Sequence, residues 1–274
     1  MEKRIYPPHI LKRKGQDEPF ICLTAYTAQT AHYVDPHCDV VLVGDSVAMV
    51  VYGMESTLGA DLEMMARHGK AVVNATKKAC VVVDMPFGSY QESPEQAFRN
   101  AAYLMKETGA QAVKLEGGTE LASTVSFLVK RGIPVMGHVG LLPQSVNTLG
   151  GYESRGKDGD EAKAIQHDAQ SLEEAGVFAI VLEGTLEVVA RRITAEVSVP
   201  VIGIGASSAC DGQILVTEDM LGITPGHVPK FVKQYASLGT EMDAAINRYT
   251  QEVRARVFPS EKHVYTASKK PTVI

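Results

Sequence analysis

Four apolar runs in this sequence each end on a carboxylate. VVLVG leads into Asp45, CVVVD closes on Asp84, AVKLE closes on Glu116 and AIVLE closes on Glu183. Ser46 follows Asp45 directly, Lys114 stands two residues before Glu116, and His138 sits in MGHVG. Three carboxylates with few imidazoles suit a hard, oxygen-preferring cation. Mg²⁺ is the natural choice, because it takes one or two carboxylates and completes its shell with water and substrate. Such a centre leaves room for a bidentate 2-oxo acid, whose ketone and carboxylate oxygens chelate while the cation acts as Lewis acid. The C–H beside the ketone then becomes acidic. A further carboxylate off the metal would serve as base, provided burial raises its pKa toward neutrality. The residues alone point to metal-assisted enolisation of a small oxo acid.

Each residue also has a plainer reading. A lone Asp after a strand is most often a turn or helix-cap residue. That explanation weakens for the acids taken together, since Glu116 and Glu183 are poor caps that follow apolar positions directly. Lys114 and Glu116 share one strand face by alternation and can be no more than a buried ion pair. His138 can be a satisfied core group, although nearby glycines leave room for close approach. No Gly-x-Ser-x-Gly elbow surrounds Ser46, which argues against nucleophile chemistry. The seven other histidines show no metal-ligand spacing, which argues against zinc.

The elements that must position these residues are regular. Strand-length apolar runs lie at 20–26, 40–45, 80–85, 112–117, 134–140, 179–184 and 199–205. They are continuously apolar rather than alternating, as expected of strands buried on both faces of a parallel sheet. Amphipathic helical stretches separate them. SPEQAFRNAAYLMKETG has Ser93 as N-cap, Pro94 at the first position, Gln96 three residues on and Gly109 at its close. DEAKAIQHDAQSLEEAG and TLEVVARRITAEV follow the same logic. This β-α alternation, at a length of 274 residues, predicts a closed (β/α)8 TIM barrel with GQILV (212–216) as the eighth strand. An open doubly wound sheet lacks its Gly-x-Gly-x-x-Gly fingerprint here. The expected organisation is a single barrel domain over 1–274, with an N-terminal extension over 1–18. Two further helices are expected within 227–258, broken near Gly239, and a mobile tail over 265–274. In a barrel the C-terminal ends of the strands form one mouth, so the residues above would converge there.

Composition narrows the partners. The chain is 45% hydrophobic and 22% charged with a net charge of −5, and no basic stripe suggests nucleic acid. No apolar run approaches the ~18 residues needed to span a membrane, and the polar N-terminus lacks the apolar core of a signal peptide. Cys22, Cys38, Cys80 and Cys210 are widely spaced and read as reduced, buried thiols of a cytoplasmic protein.

Longer motifs carry a resemblance. LVGDSVAMVVYG, VVVDMPFGSY, PEQAFRNAAYLMKETGAQAVKLEGG, VMGHVGLLPQSVNTLGGY and VPVIGIGASSACDGQILV with GITPGHVPKF resemble the ketopantoate hydroxymethyltransferase family, in order, from about Phe20 to His263. The resemblance implies a (β/α)8 barrel, Mg²⁺, and 5,10-methylenetetrahydrofolate as one-carbon donor to 2-oxoisovalerate. It also implies a decamer. Carried over position by position, it makes Asp45, Asp84 and Glu116 the metal-linked acids, with one of them commonly acting through water. Asp45, Ser46, Asp84 and Lys114 become substrate-binding, Glu183 the base, and His138 a hydrogen-bond partner in the pocket. The chain departs from the family pattern at Thr27, at Gly59 in STLGAD, at Arg67-His68, at Leu142 and at Ser207. Three rival readings remain: a metal-free aldolase with Lys114 as Schiff-base nucleophile, a related barrel lyase or mutase, and a binding protein that has lost catalysis.

Overall fold

Runs rich in Val and Ile become strands because their branched side chains pack well on a pleated, buried surface. In the computed structural model, which describes residues 3–226 and 228–265, these runs give eight strands. They are β1 (Phe20–Thr24), β2 (Val40–Val43), β3 (Cys80–Asp84), β4 (Ala112–Glu116), β5 (Val135–Gly140), β6 (Ala179–Glu183), β7 (Val201–Ile204) and β8 (Gly212–Leu215). All pair in parallel in sequence order, and β8 closes on β1 to complete the barrel. The eighth strand falls within the GQILV segment.

Alternation along each strand divides the core in two. Val40, Leu42, Cys80, Val82, Ala112, Met136, Val181 and Ile202 form the barrel interior together with Phe20. The intervening residues, among them Val41, Val83, Val113, Leu115 and Leu182, pack outward in a second cluster with Met65, Leu104, Leu128, Leu172 and Ile193 of the surrounding helices. Ile10, on the short N-terminal helix Pro7–Leu11, joins the interior cluster, so the N-terminal extension contributes to that core.

Local signals set the helix ends. Ser93 accepts a hydrogen bond from Gln96 N at 3.1 Å and opens the helix Pro94–Thr108, which stops at Gly109 with φ +77. Gln96 Oε1 accepts from Glu92 N rather than returning to Ser93, so only half of a capping box forms. Asp158 and Gly176 bracket Gly159–Ala175 in the same manner. Thr27 accepts from Thr30 N at 3.1 Å and caps Ala28–Val34, a role that a threonine fills as an aspartate would.

The described residues divide into two compact units, one of residues 3–217 with 229–232 and the other of residues 218–226 and 228 with 233–265. The two helices expected within 227–258 are corrected to one, Leu238–Arg254, among the described residues. Gly239 lies at the start of that helix instead of breaking it. First-turn N–H groups have no intrahelical partner in any case, and that of Gly239 donates to Gly222 O at 2.9 Å. Most of the tail expected over 265–274 lies outside the described residues.

Leu104 is fully buried between helix and sheet. Leu104→Ala should cost ~3 kcal/mol in urea unfolding through lost contacts and the cavity left behind. A loss under ~1 kcal/mol would contradict the packing described.

Candidate active site

Strand register assembles the site. Asp84, the last residue of β3, pairs with Lys114 of β4. Glu116, the last of β4, pairs with His138 of β5. Gly140, the last of β5, pairs with Glu183, the last of β6. Lys114 and Glu116 occupy the positions that alternate with the outward-packed Val113 and Leu115, so both face the barrel interior. Lys114 Nζ lies 3.0 Å from Asp84 Oδ1 and 3.9 Å from Glu116 Oε1. His138 Nδ1 is 3.3 Å from Glu116 Oε1, and its Nε2 is 3.3 Å from Glu183 Oε2.

Asp45 and Ser46 enter from the turn after β2. Gly44 lets the chain pass close to its neighbours, since a side chain there would meet Ser46 Oγ at 2.7 Å. The Asp45 backbone N–H then donates to Asp84 Oδ2 at 3.1 Å. The Asp45 side chain accepts from Gln144 Nε2 at 2.8 Å, and Glu116 Oε2 accepts from Gln144 N at 2.9 Å. Ser46 Oγ lies 2.8 Å from the Tyr26 hydroxyl. The structure thus brings Asp45, Asp84, Lys114, Glu116, His138 and Glu183 into one connected set, with Ser46 adjoining through the chain and Tyr26.

Asp45, Asp84, Lys114, Glu116 and His138 are all buried, whereas the Glu183 side chain is 17% exposed. Burial pushes Asp45 well above the usual carboxylate range, and the charges of Asp84 and Glu116 add to the shift. Burial also raises Asp84, with Lys114 opposing it. On Glu116 burial acts the same way, but His138 and Lys114 overcome it and hold that carboxyl below its ordinary value. Burial alone would discharge Lys114, yet Asp84, Glu116 and Asp45 keep its ammonium above the ordinary lysine range. Burial and Lys114 both oppose a charge on His138, and Glu116 and Glu183 outweigh them, raising its pKa to about 9. In the charged ring Nδ1–H lies on the side of Glu116 and Nε2–H on the side of Glu183, each 3.3 Å from a carboxylate oxygen, and Nε2 has no aligned hydrogen-bond partner. The Lys114 ammonium, 3.3 Å from Nδ1, then turns to Asp84.

The donor set suits a hard divalent cation. Three buried carboxylates face one lysine and one histidine, and Asp45 has the least compensated charge. Among the described residues no three His, Cys, Asp or Glu side chains form a ready cage.

Residue types gave no warning of Gln144, Tyr90 or Tyr26. Gln144 lies within the motif VMGHVGLLPQSVNTLGGY and in the Pro143 turn after β5, but neither says where the side chain points. A cavity of about 320 Å³ opens beside Glu116, Tyr90 and Gln144, walled by Phe87, Gln91 and Leu142. The other departures from the family pattern have local partners. His68 contacts Tyr26 O and the Tyr52 hydroxyl, and Ser207 donates to Glu187. Gly59 ends a short 3-10 turn beside Met54.

Known proteins resemble this chain at two levels, fold and sequence. Solved structures share the fold: a phosphoenolpyruvate phosphomutase from Streptomyces platensis aligns with TM-score 0.61 at 8% identity, over 95% of this chain and 92% of its own. A 2,3-dimethylmalate lyase aligns with TM-score 0.59 at 15% identity, over 95% and 92%. Sequence relatives are much nearer. The 3-methyl-2-oxobutanoate hydroxymethyltransferase of Paracoccus denitrificans is 61% identical over 263 residues, 96% of this chain and 95% of its own. That of Brucella canis is 58% identical over 265 residues, 97% and 96%. The family model of ketopantoate hydroxymethyltransferase matches residues 4–261, and this chain belongs to that family.

Proposed function

We propose that this protein transfers a hydroxymethyl group from 5,10-methylenetetrahydrofolate to 2-oxoisovalerate (3-methyl-2-oxobutanoate), giving ketopantoate on the route to pantothenate and coenzyme A. The observation that carries the reading is the buried acid set capped by Glu183, the more accessible carboxylate, beside His138. Asp45, Asp84 and Glu116 would hold Mg²⁺, one of them through water, since the oxygens of Asp84 and Glu116 already engage Lys114, His138, Asp45 N and Gln144 N. Bound there, Mg²⁺ would supply the Lewis acidity that makes the C3 hydrogen of the oxo acid labile.

The residues of the chain do the remainder. Asp45, Ser46, Asp84 and Lys114 bind and orient the oxo acid, and the Lys114 ammonium balances its developing negative charge. His138 holds Glu183 toward the substrate, and Glu183 takes the C3 proton. The new carbon–carbon bond joins C3 to the methylene carbon of the donor. The carbon–nitrogen bonds of that methylene break, water supplies the hydroxyl oxygen, and tetrahydrofolate leaves. The cavity beside Glu116 offers room for the second substrate, with half-exposed Phe87 on its wall.

The Schiff-base rival requires a neutral Lys114 amine. The ion pair with Asp84 at 3.0 Å favours the ammonium instead. A homo-oligomer, which the family resemblance makes a decamer, is supported by Met242, Ile246, Tyr249 and Val253. These exposed residues recur at helical spacing on Leu238–Arg254. A cytoplasmic setting is supported by the four buried free thiols. Among the described residues, no helix is long and apolar enough to cross a membrane.

Three outcomes are expected. Proton NMR of 2-oxoisovalerate in D₂O should show Mg²⁺-dependent loss of the C3 proton signal, abolished by EDTA and slowed at least ~100-fold by Glu183→Gln. Exchange that persists in EDTA would favour the lysine mechanism, and no exchange in a folded protein that binds the acid would favour the binder. His138 titrates at about 9 in the fold against an ordinary 6.5, so its charge stabilises fully below 6.5 and ceases to do so as pH rises through about 9. In EDTA, the urea-unfolding difference between the native chain and His138→Gln should therefore shrink from pH 6 to pH 10; a pH-independent difference would contradict the charged ring. Light scattering of the purified protein should give a mass far above the 29.5 kDa of one chain, and a monomer would remove the oligomer from this reading.

A further inference from the structure

Gln144 makes every hydrogen bond its side chain can make. Its Nε2 donates to Asp45 Oδ2 at 2.8 Å and to Met85 O at 2.9 Å. Its Oε1 accepts from the Tyr90 hydroxyl at 2.6 Å and from Gln91 Nε2 at 3.3 Å. A primary amide has two N–H donors and one oxygen with two lone pairs, so nothing is left over. Flipping the amide would set its oxygen against two acceptors, the Asp45 carboxylate and the Met85 carbonyl. Only one orientation is therefore satisfied. The same residue's backbone N–H donates to Glu116 Oε2 at 2.9 Å. Gln144 is buried, and it sits after β5, while Asp45 follows β2 and Glu116 ends β4.

We infer that Gln144 is a positioning residue for the reaction proposed above: by holding one oxygen of Asp45 and one of Glu116, it sets how these two like-charged carboxylates face the cation and the oxo acid. Tyr90 completes the clamp, since its hydroxyl fixes Gln144 Oε1 and also lies 3.2 Å from Glu116 N and Glu116 O. Gln144 itself moves no proton. It acts through the carboxylates, as outer-shell partners of metal ligands do. The inference rests on the reading of Asp45 and Glu116 as acids of the cation and substrate site.

Gln144→Met keeps the length and the backbone N–H and removes all four side-chain bonds. Gln144→Glu keeps an acceptor toward Tyr90 and Gln91 but faces Asp45 with a second oxygen. Each protein, with Tyr90→Phe as the mildest variant, would be compared by Mn²⁺ affinity without substrate (electron paramagnetic resonance), by C3 proton exchange at saturating Mg²⁺, and by thermal midpoint. In Gln144→Met both exchange kcat and Mn²⁺ affinity should fall ~10–100-fold at temperatures where the protein is fully folded. KM for the oxo acid should change less than kcat, and Tyr90→Phe should move both readouts in the same direction by less. Gln144→Glu should lower kcat despite its native size.

Unchanged kcat and Mn²⁺ affinity in folded Gln144→Met overturn the clamp while the functional reading stands. A fall in activity that only tracks the folded fraction also overturns it, because the role is then structural. Should Gln144→Met fail to fold, Tyr90→Phe decides: a lower kcat at an unchanged thermal midpoint supports the clamp, and an unchanged kcat overturns it. Absence of exchange in the native protein overturns the functional reading and the clamp together.

Discussion

The parallel ladder's register is the constraint on which the barrel mouth depends. Asp84 beside Lys114, Glu116 beside His138 and Gly140 beside Glu183 are successive steps of one staggered closure. Side chains alternate faces along a strand, so a one-residue slip of β4 would turn Lys114 and Glu116 outward under the helices and bring Val113 and Leu115 inward. The outward layer makes that slip costly. Val113 and Leu115 pack in the cluster that holds Leu104 and Leu128, and exchanging them for a lysine and a glutamate would bury charges without partners. The apolar shell therefore fixes where the polar set points.

What it holds in place is a concentration of charge that works against stability. Three carboxylates share a buried space with one lysine and one histidine, and burying charge without full compensation is unfavourable. The protein answers with donors rather than with more cations: the Asp45 N–H toward Asp84, and the side-chain and backbone N–H groups of Gln144 toward Asp45 and Glu116. Carboxylates kept close and partly uncompensated attract positive charge. Excess negative charge is thus the feature of the site that stability alone would not select.

The stretch after β8 obeys different rules. With the barrel closed, the helix Leu238–Arg254 has no buried residue of its own and presents an apolar stripe. A stripe of that kind on one helix face is an amphipathic pattern.

Much of the fold was legible because its signals are local. Apolar runs of strand length, Ser93 with Pro94, Gly109 at a helix end, and acids closing the strands are all properties of a few neighbouring residues. They suffice for a closed barrel and for a list of residues at its mouth, and the long motifs identified the family. The break predicted at Gly239 failed because a glycine in a first turn is tolerated where a mid-helix glycine is not. What only the tertiary structure decided is pairing at a distance. Gln144 reaches Asp45 across 99 positions and Glu116 across 28, and no spacing rule connects an amide after β5 to acids after β2 and β4. The sequence determines which groups are available and at which strand end they stand. Which oxygen accepts which proton depends on barrel closure, because only closure brings strands remote in the chain to within hydrogen-bonding distance.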